Sequence, residues 1–248
     1  MKNFLAFIAV LALGFMITTS LNNNEAFPKY GEANVSDRVS QAYIDRSATE
    51  NPGDITFGES ADLESGPANI VTAIVADYRS FDTLGEVTVL FVSSLGVALL
   101  LGATKQKRIS LEFRPNFMLR VGSRALFGII LMTGIYIAIH GHLTPGGGFP
   151  GGAMIASSVL LLYLADDTFR AKISGFKVLE SVAGSAYVLI GIAGLFVASY
   201  FLENFMFNEA IGTLFSAGII PIVYVLIGLK VGSEISGIVD NFLTEEGV

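Results

Sequence analysis

The stretch ALFGIILMTGIYIAIHGHLTPGGGFPGGAMIASSVLLLYLA, from Ala125 to Ala165, contains no Asp, Glu, Lys or Arg. A transmembrane helix needs about 20 mostly apolar residues, so this run is too long for one crossing. The string Pro145-Gly146-Gly147-Gly148-Phe149-Pro150-Gly151-Gly152 divides it. Glycine and proline in such density read as a tight irregular turn between two helices. Spans are therefore expected at about 121–140 and 150–167. Working outward, similar apolar runs occur at Phe4–Leu21, at about Gly85–Ala103, at about Ser181–Leu202 and at about Ala210–Leu229. The expected fold is an all-α membrane protein of about six transmembrane helices.

Composition agrees. The 248 residues are 52% hydrophobic and only 15% charged, against about 25% charged in an average soluble domain. The formal charge of −7 argues against a nucleic-acid partner, which selects a basic surface. There are no cysteines, which excludes disulfides, thiolate zinc sites and cysteine-held iron–sulfur clusters. The first span has the outline of a signal peptide, but its apolar core is long and no clean Ala-x-Ala site follows. An uncleaved anchor is expected. Orientation follows from the basic residues. Lys105, Lys107, Arg108, Arg114, Arg120 and Arg124 flank the link between spans two and three, and Arg170, Lys172 and Lys177 lie between spans four and five. With Lys2 and Lys230 they fall on one side if both termini are cytoplasmic, in a multi-pass plasma-membrane protein.

Residues 22–66 form a polar extracytoplasmic loop whose nine acidic residues face only Lys29, Arg38 and Arg46. A solvated cap is the simplest reading; a surface that concentrates cations is the sharper one. The charged link 104–119 marks a boundary. It separates a two-span half, 1–110, from a four-span half, 111–248.

The segment ANIVTAIVADYRSFDTLGEVTV, Ala68–Val89, carries most of the chemistry. Ala68–Ala76 is apolar but too short to cross at 1.5 Å per residue, so an interfacial or re-entrant helix is expected there. Asp77, Arg79, Asp82 and Glu86 follow. At 100° per residue, with Asp77 at 0°, Asp82 falls at about 140°, Glu86 at about 180° and Arg79 at about 200°. If one helix continues through them, the last three share a stripe. Arg79 can then pair with Asp82 or reach Glu86, while Asp77 faces away and needs another partner, expected from another subunit. Charges at membrane depth cost about 2.5–3.5 kcal/mol each on insertion scales and often mark ion paths. A surface ion-pair cluster that merely fixes the fold is the competing reading. Glu86, at the start of a span, is the best ion-translocation candidate.

His140 and His142 precede the glycine string and can titrate near neutral pH, or serve as turn formers. The string lacks the Lys-Ser/Thr of a phosphate-binding loop. Glu180, at the entrance to span five, is the remaining carboxylate near membrane depth, with Lys177 at i−3 expected to neutralise it. Gly184, Gly191, Gly194 and Ala198 give span five a small-residue face. Pro221 is expected to kink span six and free the Ala217 carbonyl.

Two motifs carry a resemblance. Arg120–Ala165, with HGHLTPGGGFPGG at His140–Gly152, closely resembles the B subunit of Mrp-type multisubunit Na⁺/H⁺ antiporters, the MnhB family. Val75–Leu95, with DYRSFDTLGE at Asp77–Glu86, resembles the C-terminal end of the Mrp A subunit, which is a separate small subunit in archaeal membrane-bound hydrogenases and sulfane reductases. The chain looks like a fusion of the two. The resemblance implies a subunit, without a catalytic centre or cofactor of its own, of a complex that moves Na⁺ and H⁺. The implied partners are other Mrp-like membrane subunits, with a hydrogenase-like peripheral arm in the respiratory setting. A stand-alone Mrp antiporter and a purely structural scaffold are the alternatives. An intramembrane enzyme is disfavoured, because no Gly-x-Ser-x-Gly or His-Glu-x-x-His occurs. A sensor would need a cytoplasmic output domain, for which the chain offers only Val231–Val248.

Overall fold

The computed structural model describes residues 2–22, 56–60, 63–103, 115–166, 169, 171–206 and 209–243. Every described element is helical. Helix α1 (Lys2–Asn22) belongs to a unit of its own, residues 1–45, and its apolar side chains are exposed. Residues 46–248 form a second compact unit. Within it, a short turn of helix, α2 (Ile70–Thr72), widens into a π-helix (Ala73–Tyr78). Then follow α3 (Ser80–Ala103), α4 (Phe117–Ile139), α5 (Gly148–Ala165), α6 (Ile173–Val197) and α7 (Ile220–Leu243). Five of these helices, α3 to α7, are long and apolar enough to cross a membrane, and α1 adds a shorter apolar helix, Ala6–Leu21. Over its described residues the chain is all-helical, a multi-pass membrane protein.

Helix α7 is the hub of the second unit and packs against α3, α4, α5 and α6. Its partner α5 is equally enclosed, whereas α3 keeps most of its surface free. Small residues make the tight contacts possible. A Cβ on Gly151 would lie 2.7 Å from Ala138 Cβ and 2.8 Å from the Gly134 carbonyl, so α4 and α5 touch backbone to backbone. On Gly152 it would lie 2.8 Å from the Gly228 carbonyl of α7. Helix α4 starts where Asn116, after Pro115, caps it by accepting from the Leu119 N–H at 2.8 Å.

Span six differs most from expectation. Residues 210–219 are irregular and α7 begins only at Ile220. Gly212 and Gly218 hold left-handed backbone there, at φ +98° and +56°, which no helix can contain. Asn204 stitches the segment, donating to the Ala217 carbonyl and accepting from the Ile219 N–H. Pro221 is then the second residue of α7, in the first turn, where a missing N–H costs nothing. It kinks nothing, and the Ala217 carbonyl is satisfied. Span five also shifts, to Ile173–Val197, because Ala198–Glu203 folds back onto it. The Gly191 and Gly194 face receives Phe201 and the Tyr200–Glu203 backbone, not a neighbouring helix. Most of the acidic loop, and link residues 104–114, lie outside the described residues.

Candidate functional site

Two charged constellations and one loop make up the candidate site. The first constellation surrounds the corner between the π-helix and α3. The continuous helix expected through Asp77–Glu86 is interrupted. The Arg79 N–H closes the π-helix onto the Ile74 carbonyl, and Arg79 itself leaves helical geometry at φ −130°, ψ 38°. The shared stripe therefore survives only for Asp82 and Glu86, four residues apart on α3. Arg79 pairs with Asp82 (2.5 Å), both side chains about half exposed. An exposed pair of this kind contributes about 0–1 kcal/mol. The Thr83 hydroxyl spans the break by donating to the Val75 carbonyl at 2.5 Å.

Asp77 has neighbours within this chain. Ser65 and Glu64 of the incoming segment approach it, and Tyr78 donates to Glu64 at 3.2 Å. Burial, with the Glu64 charge adding to it, pushes the Asp77 carboxyl up to about 6 despite the Ser65 hydroxyl. Glu86 lies one turn beyond Asp82 with an exposed side chain.

The glycine loop is the second part. Gly147, at φ +142°, lets the chain reverse between α4 and α5 beneath the Tyr224 ring. A Cβ on Gly141 would lie 2.5 Å from Gly147, and one on Gly148 would lie 2.6 Å from Ile227, so the loop is pressed onto itself and onto α7. Pro145, Gly146, Phe149 and Gly152 complete it. The two sequence motifs meet here. Asn69 Nδ2 donates to the carbonyls of Gly141 (2.9 Å) and Thr144 (3.0 Å), and its Oδ1 caps α2 at the Val71 N–H. The Asn69 N–H donates to the His142 carbonyl, and the Thr72 hydroxyl to Gly141. Tyr224 of α7 closes the network by donating to Thr72 at 3.0 Å.

His140 behaves as a turn former. Its Nδ1 lies 3.1 Å from the Tyr136 carbonyl and its ring stacks on Tyr136. His142 is fully enclosed, and neither ring nitrogen has a hydrogen bond among the described residues, although the backbone of Thr213 and Leu214 lies near. Burial pushes its imidazole below the usual histidine range, away from the neutral titration expected of it. Among the described residues no three His, Asp or Glu side chains are grouped so as to hold a metal ion.

The third part is one the sequence reading missed. Because α7 runs to Leu243, Lys230 sits near its middle, not at its end. Lys230 is 8% exposed and donates to Glu234 Oε1 at 2.5 Å, one turn on. Glu180 of α6 lies 4.0 Å from the same ammonium. The expected Lys177 is therefore not its partner. Gly184 gives the Lys230 stem room, and the Phe91 ring of α3 faces the ammonium at 4.8 Å. A cavity of about 330 Å³ opens beside them, lined by Thr88, Phe91, Glu180, Ser181 and Ser185. At one end of α7, Asp240 accepts from Tyr163 of α5, and Asp166 is held by Arg124 (3.0 Å) and Arg120 (3.8 Å). The available signal was Lys230 and Glu234 at i, i+4 inside the otherwise apolar VLIGLKVGSEISGIV.

Residues 118–237 match the family model described as a domain related to the MnhB subunit of Na⁺/H⁺ antiporter, and residues 35–115 match the MbhE family of MBH subunits. An uncharacterized protein of Methanocaldococcus jannaschii is 31% identical over 204 residues, which span 68% of this chain and 74% of the relative. The B subunit of a Na⁺/H⁺ antiporter of Alkalihalophilus pseudofirmus is 35% identical over 93 residues, 36% of this chain and 65% of that one. Among solved structures, a chain of the membrane-bound sulfane sulfur reductase, an archaeal respiratory membrane complex, is 42% identical, with a TM-score of 0.78 over 99% of both chains. The glycine loop and the Asp77–Glu86 corner fall one in each matched region, and with likeness over nearly the full length the chain belongs to the family of MnhB-related membrane subunits, here with an MbhE segment ahead of the MnhB-related domain.

Proposed function

We propose that this chain is a membrane-embedded subunit of a Na⁺/H⁺ antiporter module within an energy-conserving respiratory complex. The observation that carries this reading is the likeness over 99% of both chains to a subunit of a respiratory sulfane reductase. The MnhB-related domain adds the antiporter side. The chain serves ion movement, not catalysis; the redox chemistry belongs to a peripheral arm, and other Mrp-like membrane subunits complete the ion path. Exposure of Glu86 and of the Arg79–Asp82 pair on α3 supports a path completed by a neighbour. Both termini and the 104–119 link face the cytoplasm, in keeping with the basic residues.

Purification of the tagged chain from native membranes tests the assignment. Antiporter-like and peripheral redox subunits are expected to co-purify, with Na⁺ movement in reconstituted vesicles driven by the redox reaction. A complex that retains Na⁺/H⁺ exchange but contains no redox arm would make it a stand-alone antiporter. For orientation, a cysteine at Ser47 is expected to label from outside intact cells and one at Ser110 is not.

A further inference from the structure

We propose that Glu180, Lys230 and Glu234 form an exchangeable one-proton site in the seam between α6 and α7, in which Lys230 pairs with one carboxylate at a time and the other carries the proton. It rests on the antiporter-module reading only for its role in coupling; the site itself follows from charge and geometry.

Two carboxylates share one ammonium, so a fully ionised triad holds one negative charge in excess. Glu234 is 2% exposed, and its Oε2 has no hydrogen-bond partner among the described residues while Oε1 takes the Lys230 ammonium. A buried carboxylate oxygen without a donor is costly as an anion. Neighbouring groups do not supply the missing charge. From α5, Tyr163 is engaged with Asp240; from α4, Arg120 and Arg124 turn to Asp166. From α3 come Thr88 and the Phe91 ring, with Glu86 further along; from α6 come Ser181, Ser185 and Tyr187, while Lys177 is exposed. On α7 itself, Tyr224 is bonded to Thr72. A proton is therefore the species that neutralises the triad, because the ammonium already fills the space a metal cation would take between the carboxylates.

The exchange is short. Lys230 Nζ stands 2.5 Å from Glu234 and 4.0 Å from Glu180. Rotation about the flexible lysine stem brings it from one to the other. With Lys230 on Glu234, Glu180 takes a proton from water in the cavity and the triad goes from one negative charge to none; when Lys230 crosses to Glu180, that proton passes to Glu234 and the net charge stays the same. The reverse movement returns the proton. Glu180 lines the cavity and Glu234 lies behind Lys230, so the ammonium separates an accessible carboxyl from an enclosed one.

The test is pH-difference infrared spectroscopy of the purified complex in lipid, in H₂O and D₂O. The expected result, read in an Asp77→Asn background so that the raised Asp77 carboxyl adds nothing, is a carboxylic acid C=O band, shifted in D₂O, that titrates when the triad is intact. It is lost in Glu180→Gln, where Lys230 and Glu234 close as a neutral pair. In Lys230→Met it grows about twofold, because both carboxyls then hold protons. A titrating band unchanged in Glu180→Gln overturns the proposal. Should Lys230→Met fail to assemble, Glu180→Gln alone decides, since it leaves the enclosed pair intact. The band is read without any ion gradient. A complex that shows it but moves no Na⁺ keeps the proton site and removes the antiporter reading; one that transports without it does the opposite.

Discussion

The two charged constellations of this chain solve the same problem in opposite ways. On α7 and α6, Lys230, Glu234 and Glu180 are gathered inside the fold, and the small residues around them let the helices close over the charges. On α3, Glu86 and the Arg79–Asp82 pair stand on an uncovered surface. A charge at membrane depth is tolerated only against protein or water. The inner set is thus largely covered within this chain, and the outer set is not. The division follows the helices. Half of the apolar window of α5 and of α7 is buried within this chain, and 6% of that of α3.

Four experiments break or sharpen this contrast. The largest effect is expected from Gly151→Leu, which forces a side chain into the Ala138 and Gly134 backbone. Overpacking of this kind costs about 1–3 kcal/mol in yielding cores and more where backbone is struck. Loss of the complex on a native gel is expected, and the same for Gly147→Leu, whose backbone excludes a β-carbon at little strain. Gly122→Leu, with open space around it, is the control that assembles.

Next comes Lys230→Ala, which strands two carboxylates. Removing one partner of a buried ion pair costs about 3–5 kcal/mol. The melting temperature of the complex is expected to drop clearly, whereas Arg79→Ala leaves it almost unchanged. Equal drops would erase the distinction between inner and outer sets.

Glu86→Gln reverses the pattern: assembly persists and Na⁺ transport falls. ²²Na⁺ uptake in vesicles matched for complex content reads it, and wild-type transport across a range of pH would make the outer cluster structural.

The smallest effect concerns Asp77. Its carboxyl is raised from 3.8 to about 6 in the fold, so the folded state binds the extra proton between those values. Stability therefore falls as pH rises from about 4 to about 6 and is level above. Asp77→Asn is expected to flatten that slope in melts of the complex and to raise stability slightly at neutral pH. A slope that persists in the variant would assign it to another group.

The fold was largely legible in the sequence because apolar length is a strong signal. Spans two, three and four lay near their places, span one is a shorter apolar helix, span five begins earlier at Ile173, and the glycine loop divided Ala125–Ala165 where expected. Span six misled for a local reason. Residues 210–219 are as apolar as a helix, but Gly212 and Gly218 take left-handed backbone that an apolar count does not register. The same misplacement put Lys230 at a helix end and hid its pairing with Glu234. Glu180 was singled out with a sequence neighbour, Lys177, while its partner lay fifty positions away on α7. The turn at Arg79 was invisible too, since nothing in ADYRSFD distinguishes a π-helix from an α-helix.

Asn69 carries one last consequence. With Thr72, it joins the two matched regions through main-chain carbonyls of the 141–144 loop. Those bonds require only that the two surfaces meet, and take nothing from the peptide link between Ala103 and Pro115. A gene cut at that link would yield two polypeptides with their mating surface intact. They would be expected to recombine in the membrane, so that one long chain and two short ones are interchangeable ways to encode the same assembly. Co-expression of the severed halves with Asn69→Leu in one of them should then fail where the unaltered halves succeed.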